Sequence, residues 1–241
     1  MSARPLLIVG AGAHGRAVLE LARLLDMTVA GFLDDVNPVK SSIDGCEVLG
    51  RTSLLDEKPF IGPFQAIVAI GNSIARRGFS NRIRAHGREP AILIHPAVRI
   101  PDSARIGTGS VLVGENVVYP GVIIGQDVLI DPGVTFGIDN LIADGVYICP
   151  GCHLGAYVSL REECFLGMGV VVVPERTIGR RAVIGAGAVV FKDVPDGKLV
   201  FGNPGRVTGD AVLDDWSPYP ARSRDSRTRV GDKNGGNDTG N

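Results

Sequence analysis

The feature that most restricts this chain is a beat of six residues in its second half. From Ile100 onward every sixth residue is aliphatic or Phe: Ile100, Ile106, Leu112, Val118, Ile124, Ile130, Phe136, Ile142, Ile148, Leu154, Leu160, Leu166, Val172, Ile178, Ile184 and Val190. Four residues after each, the side chain is usually small, as at Ala104, Ser110, Val122, Cys152, Ala182 and Ala188. A helix of period 3.6 cannot hold this row on one face, and a strand of period 2 leaves the turns unexplained. The pattern predicts a three-sided coil, six residues to a side and 18 to a turn. Each large residue points inward and stacks on its equivalents one coil away, so that Phe136 meets Val118 and Leu154. Gly, Asn and Asp at the corners supply backbone angles that β-branched residues resist. Such a solenoid buries its core only by stacking neighbours, and about five coils span residues 98 to 192.

The residues before the repeat follow a different pattern. Pro5–Val9 reads as a buried strand and is followed by Gly10-Ala-Gly-Ala-His-Gly15, formally GxGxxG. A helix is expected over Arg16–Leu25, with Val18, Leu21, Ala22 and Leu25 on one face. Thr28–Leu33 is a second strand ending in Asp34-Asp35, where an acidic residue can meet ribose hydroxyls. Gln65–Ile70 is a later strand, followed by Gly71-Asn72 and an Arg-rich helix. About 90 residues are too few for both halves of a Rossmann fold, which counts against a dinucleotide-dependent oxidoreductase. Half a fold can still hold a nucleotide diphosphate against its glycine turn and helix N-terminus. The expected organisation is α/β followed by β: a Rossmann-like domain over 1–95, the coil over 96–207 and a tail over 208–241, with its Arg/Ser- and Gly/Asn-rich end disordered.

Charge and cysteine usage narrow the partners. With Lys+Arg 25 against Asp+Glu 26, nothing attracts nucleic acid or a membrane surface. No apolar run approaches a membrane span, the N-terminal run is too short for a signal peptide, and the four cysteines do not make a secreted framework, so the cytoplasm is expected. Cys149-Pro-Gly-Cys152 has redox spacing, but Cys152 falls in a slot otherwise filled by small residues, which favours packing over chemistry. His153 is the lone histidine within the coils, and a trimeric metal site needs three imidazoles, so no metal is expected.

The repeat resembles the hexapeptide-repeat, left-handed β-helix acyltransferases, and Phe191–Arg206 is similar to the segment that closes them beside coenzyme A. Gly-Ala-Gly-Ala-His-Gly, Gly31-Phe-Leu-Asp-Asp, Ala69-Ile-Gly-Asn and His95-Pro96, leading into the repeat, narrow the resemblance to the sugar acetyltransferases of the sialic acid and bacillosamine pathways, over residues 5 to about 207. That resemblance implies a homotrimer using acetyl-CoA, with direct transfer in a ternary complex to a nucleotide-activated amino sugar. It carries nucleotide-sugar binding onto Gly12, His14, Asp34, Asp35 and Gly71, and a coenzyme groove between neighbouring helices onto Tyr147, Ala156, Met168 and Ala186.

The chain departs from this family at the catalytic coil. The family reads roughly Glu-His-Asp-Cys there, with histidine as base; this chain reads Gly137-Ile138-Asp139-Asn140. A second family histidine corresponds to Tyr147. Three readings stay open. Asp139, or else His153 in the next coil, takes over as base. Alternatively an amine acceptor needs little help, which favours an amino group over a hydroxyl. Or the protein is an inactive relative that binds ligands or supports a partner.

Overall fold

The structure, a computed structural model, describes residues 4–57 and 64–212. The tail beyond Val212, with the disorder expected of it, lies outside the described residues. Four parallel strands form the N-terminal sheet: β1 (Leu6–Val9), β2 (Val29–Leu33), β4 (Cys46–Gly50) and β5 (Gln65–Val68). β3 (Ser42–Ile43) pairs antiparallel with β4, giving the order β3-β4-β2-β1-β5. β1 reads Leu-Leu-Ile-Val and is buried on both sides, as a central parallel strand requires. Helix α1 (Ala13–Leu24) buries Val18, Leu19, Leu21 and Ala22. It begins three residues before the expected Arg16, so His14 lies in its first turn rather than in a loop. Helix α2 (Ser73–Ala85) is capped by Asn72, whose side chain accepts from the Ala75 N–H at 2.9 Å.

The coil forms as its beat predicts. Each side is a two-residue strand paired in parallel with the strand one coil away: Phe136 opposes Val118 and Leu154. The inward row from Leu112 to Val190 makes one continuous core with Val122, Val134, Cys152, Ala182 and Ala188. Full burial of such an aliphatic side chain contributes roughly 1.5–3 kcal/mol, so the stacked row dominates this half. At the corners the backbone turns left-handed, with glycine at 133, 151, 169 and 187, and Asp139 (φ 55°) and Tyr157 (φ 60°) at an equivalent turn. Val/Ala positions of the core are polar at Asn116 and Asn140. Asn116 Oδ1 accepts from the Val134 N–H at 2.9 Å, whereas Asn140 donates to the Gly155 carbonyl at 2.7 Å and its buried Oδ1 has no partner.

The three sheets of the coil are not equivalent. The docking face carries Leu93, Val111, Leu129, Tyr147, Phe165 and Val183 pointing outward, and all are buried with α1 and β1 in one cluster. It starts at Leu93, slightly before the expected boundary at 96, and ends in a strand at Lys198–Phe201 with an antiparallel partner at Arg206–Asp210. The second face holds Val117, Thr135, His153, Val171 and Val189; the third holds Arg105, Ile123, Leu141, Ser159 and Thr177.

Candidate active site

The strand order sets the position of the crevice. β1 lies between β2 and β5, and ligands bind open α/β sheets beyond the strand ends where successive connections part. The turn after β1 is Gly10–Gly15. Gly10 has φ 98°, and a Cβ on Gly15 would run into the Gly10 carbonyl oxygen, so helix and turn need both glycines for their close approach. Gly12 is the N-cap of α1. No side chain caps this end, and nothing lies within 4 Å of where a Gly12 Cβ would stand. The open N–H groups and the positive end of the helix suit an anionic group.

His14 closes one side of this opening. A Cβ on Gly71, in the turn after β5, would lie 3.1 Å from His14 Nε2 and 3.7 Å from the Tyr147 ring. Tyr147 Oη is 3.1 Å from His14 Nε2 and donates to Asp131 Oδ2 at 2.9 Å. The rings of His14 and Tyr147 meet edge-on at 5.2 Å, and Tyr147 packs edge-on against Phe165 at 5.1 Å. Burial, with Arg76 nearby, lowers the His14 pKa to about 4, so the ring is neutral at neutral pH. Burial raises Asp131 to about 6 against the opposing pull of the Tyr147 hydrogen bond and Arg76. Burial and Asp131 push the Tyr147 phenol far above its ordinary range. The resemblance put Tyr147 in the coenzyme groove. That is corrected: its side chain is 1% exposed and its hydroxyl is committed to His14 and Asp131, so it belongs to the crevice between the domains.

The arginines of α2 hold the two domains in register. Arg76 is fully buried and reaches five main-chain carbonyls: Ile70 (2.8 Å), Gly71 (2.9 Å), Asp127 (2.8 Å), Gly145 (2.9 Å) and Val146 (3.3 Å). Burial draws its pKa down to about 10, which leaves it charged at neutral pH. Arg77 pairs with Glu163 at 2.7 Å and Arg84 with buried Asp127 at 2.8 Å. In the sequence these residues stand out only as part of an Arg-rich helix. An arginine every few residues on a helix that also carries Ile74, Phe79 and Ile83 was the available signal. His86, the C-cap of α2, meets the Leu55 carbonyl through Nε2.

Asp34 takes a different role from the one expected. Its Oδ2 accepts the Ala11 N–H at 2.9 Å, and its Oδ1 accepts from Val36 N (3.0 Å), Asn37 N (2.6 Å) and Asn37 Nδ2 (2.8 Å). The ribose role is therefore replaced by a structural one, in which Asp34 pins the glycine turn to the end of β2. Asp35 accepts from Thr52 N (2.9 Å) and Thr52 Oγ1 (2.6 Å) and stays exposed, so it is the carboxylate of the pair that a ligand hydroxyl can still reach.

The other expected site residues lie elsewhere on the coil. Asp139 is exposed at the corner between the second and third faces, beside Ile138, which is 43% exposed. His153 lies exposed on the second face with Nδ1 3.2 Å from Thr135 Oγ1, in the register the repeat predicts. Among the described residues neither makes a hydrogen bond to His14, Tyr147 or Asp131. Ala156 shares the corner of Ile138, whereas Met168 and Ala186 stand one coil apart on the corner between the docking and second faces. One chain does not bring these three together. Among the described residues no group of three His, Cys, Asp or Glu side chains is arranged to hold a metal ion. Cys149 and Cys152 are buried, and burial raises their thiols to about 12 and about 11, which suits packing rather than redox chemistry.

A family model described as the PglD N-terminal domain matches residues 5–83. The chain is 33% identical, over 214 residues, to the GDP-perosamine N-acetyltransferase of Escherichia coli, an alignment covering 83% of this chain and 94% of the relative. The chain belongs to the hexapeptide-repeat sugar acetyltransferases. Solved members of the family share its architecture, which makes the coil a left-handed β-helix. The acetyltransferase domain of PglB from Neisseria gonorrhoeae, in complex with acetyl coenzyme A, is 36% identical with a TM-score of 0.80, over 86% of this chain and 100% of that one. A mutant perosamine N-acetyltransferase from Caulobacter crescentus, in complex with CoA and GDP-perosamine, is 30% identical with a TM-score of 0.81, over 86% and 97%. No helix among the described residues is long and apolar enough to cross a membrane.

Proposed function

We propose that the protein transfers an acetyl group from acetyl-CoA to an amino group of a nucleotide-activated sugar, directly within a ternary complex. The observation that carries this reading is the crevice itself. An open helix N-terminus at Gly12, a glycine-lined turn at Gly71 and a half-buried imidazole at His14 meet the docking face beside Tyr147. The nucleotide diphosphate would lie against Gly12 with Asp35 near its ribose, and the sugar would extend past Gly71 toward His14. Solved relatives that hold CoA together with GDP-perosamine support the pairing of ligands.

The coenzyme would run along a groove lined by Ala156, Met168 and Ala186. These residues occupy two different corners of one β-helix, so a continuous groove needs two helices side by side. A homotrimer in the cytoplasm is therefore part of the proposal. Val117, Tyr119, Ile123, Ile138, Leu141 and Tyr157 are 43–56% exposed around one corner, an apolar surface suited to a second copy. Main-chain N–H groups along the groove would polarise the thioester carbonyl.

The test is thiol release from acetyl-CoA by the full chain, with GDP-, UDP- and dTDP-linked amino sugars as acceptors. Turnover with an amino sugar, and none with its hydroxyl counterpart, supports the reading. Ile138 in place of a base favours a second reading, an inactive ligand-binding relative. Saturable nucleotide-sugar binding without thiol release would establish that one.

A further inference from the structure

We infer that the proton acceptor of this enzyme is a relay, His14–Tyr147–Asp131, built across the domain crevice in place of a base on the catalytic coil. The inference rests on the acetyltransferase reading above. Hydrogen-bond valence carries it. An ionised Asp131 carboxylate only accepts, so the single Tyr147 hydroxyl proton goes to Oδ2. At 3.1 Å a bare Nε2 would set its lone pair against those of Tyr147 Oη, so Nε2 carries a proton and donates to Oη, beside the Cys149 thiol that also reaches this hydroxyl. A neutral imidazole protonated at Nε2 presents a bare lone pair at Nδ1. Nε2 and Cδ2 form the ring edge against Gly71 and Tyr147. Nδ1 is on the opposite edge, has no protein partner among the described residues, and belongs to a half-buried ring at the mouth of the crevice.

The step balances without another reactant. As the acceptor nitrogen bonds to the thioester carbon and the C–S bond breaks, the amine proton passes to His14 Nδ1. The Nε2 proton moves to Tyr147 Oη, and the Tyr147 proton moves to Asp131 Oδ2. No side chain but Asp131 changes charge. The same path in reverse delivers the proton to the departing CoA sulfur. His14 alone would be a weak base, because its surroundings disfavour the imidazolium. The resting place of the proton is Asp131, whose burial favours the protonated acid. The charged and titratable groups facing the relay are Arg76 and the Cys149 and Cys152 thiols, and all three hold their charge state across neutral pH.

The experiment uses the full-length protein with an amino-sugar nucleotide that the wild type acetylates. Tyr147→Phe and Asp131→Asn should each lower kcat by about 10²–10⁴-fold, the usual contribution of general-base catalysis, with KM for acetyl-CoA changed less than about 3-fold. His14→Ala should lose kcat similarly and regain part of it with added imidazole. The wild-type kcat should fall as pH drops through about 6, because Asp131 must be ionised to receive the proton. Independently of turnover, ¹⁵N imidazole shifts should report His14 as the Nε2–H tautomer, and Tyr147→Phe should abolish that preference. Wild-type kcat in Tyr147→Phe, or a larger loss in Asp139→Ala or His153→Ala than in the relay variants, would overturn the relay while leaving the acetyltransferase reading intact. An Nδ1–H tautomer for His14 would overturn it as well. A wild type that releases no thiol with any acceptor would overturn both.

Discussion

On the docking face, Asp131, Tyr147 and Arg76 are buried and hydrogen-bonded, whereas at the corner between the second and third faces Tyr119, Ile138 and Tyr157 stand apolar and exposed. The two regions belong to the same coils and share one inward core. The difference lies in what covers them. The docking face is covered by α1 and α2 of its own chain, which can supply a specific partner for each buried polar group. Among the described residues nothing covers the corner, and its surface is the kind that a second copy buries. The comparison also locates the chemistry. The coil position where the family resemblance implies a histidine base is apolar here, while a chain of polar groups is buried on the other side of the β-helix.

Removing the latch that fastens the docking face to the N-terminal domain should cost the most. Arg76→Met should leave several buried carbonyls without a donor, at about 1–3 kcal/mol each before relaxation. A net loss of at least ~3 kcal/mol would lower the thermal midpoint by roughly 6–12 °C in a chain of this size. A midpoint within about 2 °C of wild type would show that the domains are held without Arg76. Asp34→Ala comes next, at about 2 kcal/mol, because four donors of the glycine turn and the loop after β2 lose their acceptor. Chemical denaturation at neutral pH measures it.

The pH dependence of stability is a finer test. The Asp131 pKa rises from 3.8 to about 6 on folding, so across that window the native state holds more protons and Asp131 makes stability fall as pH rises. The His14 pKa falls from 6.5 to about 4, so the unfolded state holds more protons and His14 makes stability rise with pH over nearly the same window. The two nearly cancel, so their net contribution in wild type should be almost flat between pH 4 and 6. Against wild type, Asp131→Asn should gain stability with rising pH and His14→Gln should lose it, each by about 2 kcal/mol across the window. Matching profiles in all three proteins would contradict the assigned environments. The smallest effect on the folded chain belongs to the uncovered corner. Ile138→Asp should change monomer stability by less than about 0.5 kcal/mol while shifting sedimentation from trimer toward monomer. An unchanged assembly would place the subunit interface elsewhere.

The inward row of the coil was legible because one period of six fixes one face, and each of its strands repeats the same constraint. The crevice glycines were legible because their spacing reflects backbone geometry. The pairing of His14 with Tyr147 was not, since 133 residues separate them and neither spacing nor composition links two domains. Asp34 and Asp35 show a different limit. A carboxylate at a strand end suits ribose or main-chain N–H groups equally well, and the three-dimensional turn alone showed that Asp34 serves the latter. Arg76 had no legible role in an Arg-rich helix, because the five carbonyls that receive its guanidinium converge only after the domains dock.

Whether this chain still handles an acyl donor despite Ile138 can be read from a calorimetric titration of acetyl-CoA into the purified protein, with CoA alongside. Saturable binding is expected at one site per chain, weakened by Ala186→Trp in the proposed groove. A folded, trimeric protein that binds neither compound would contradict it.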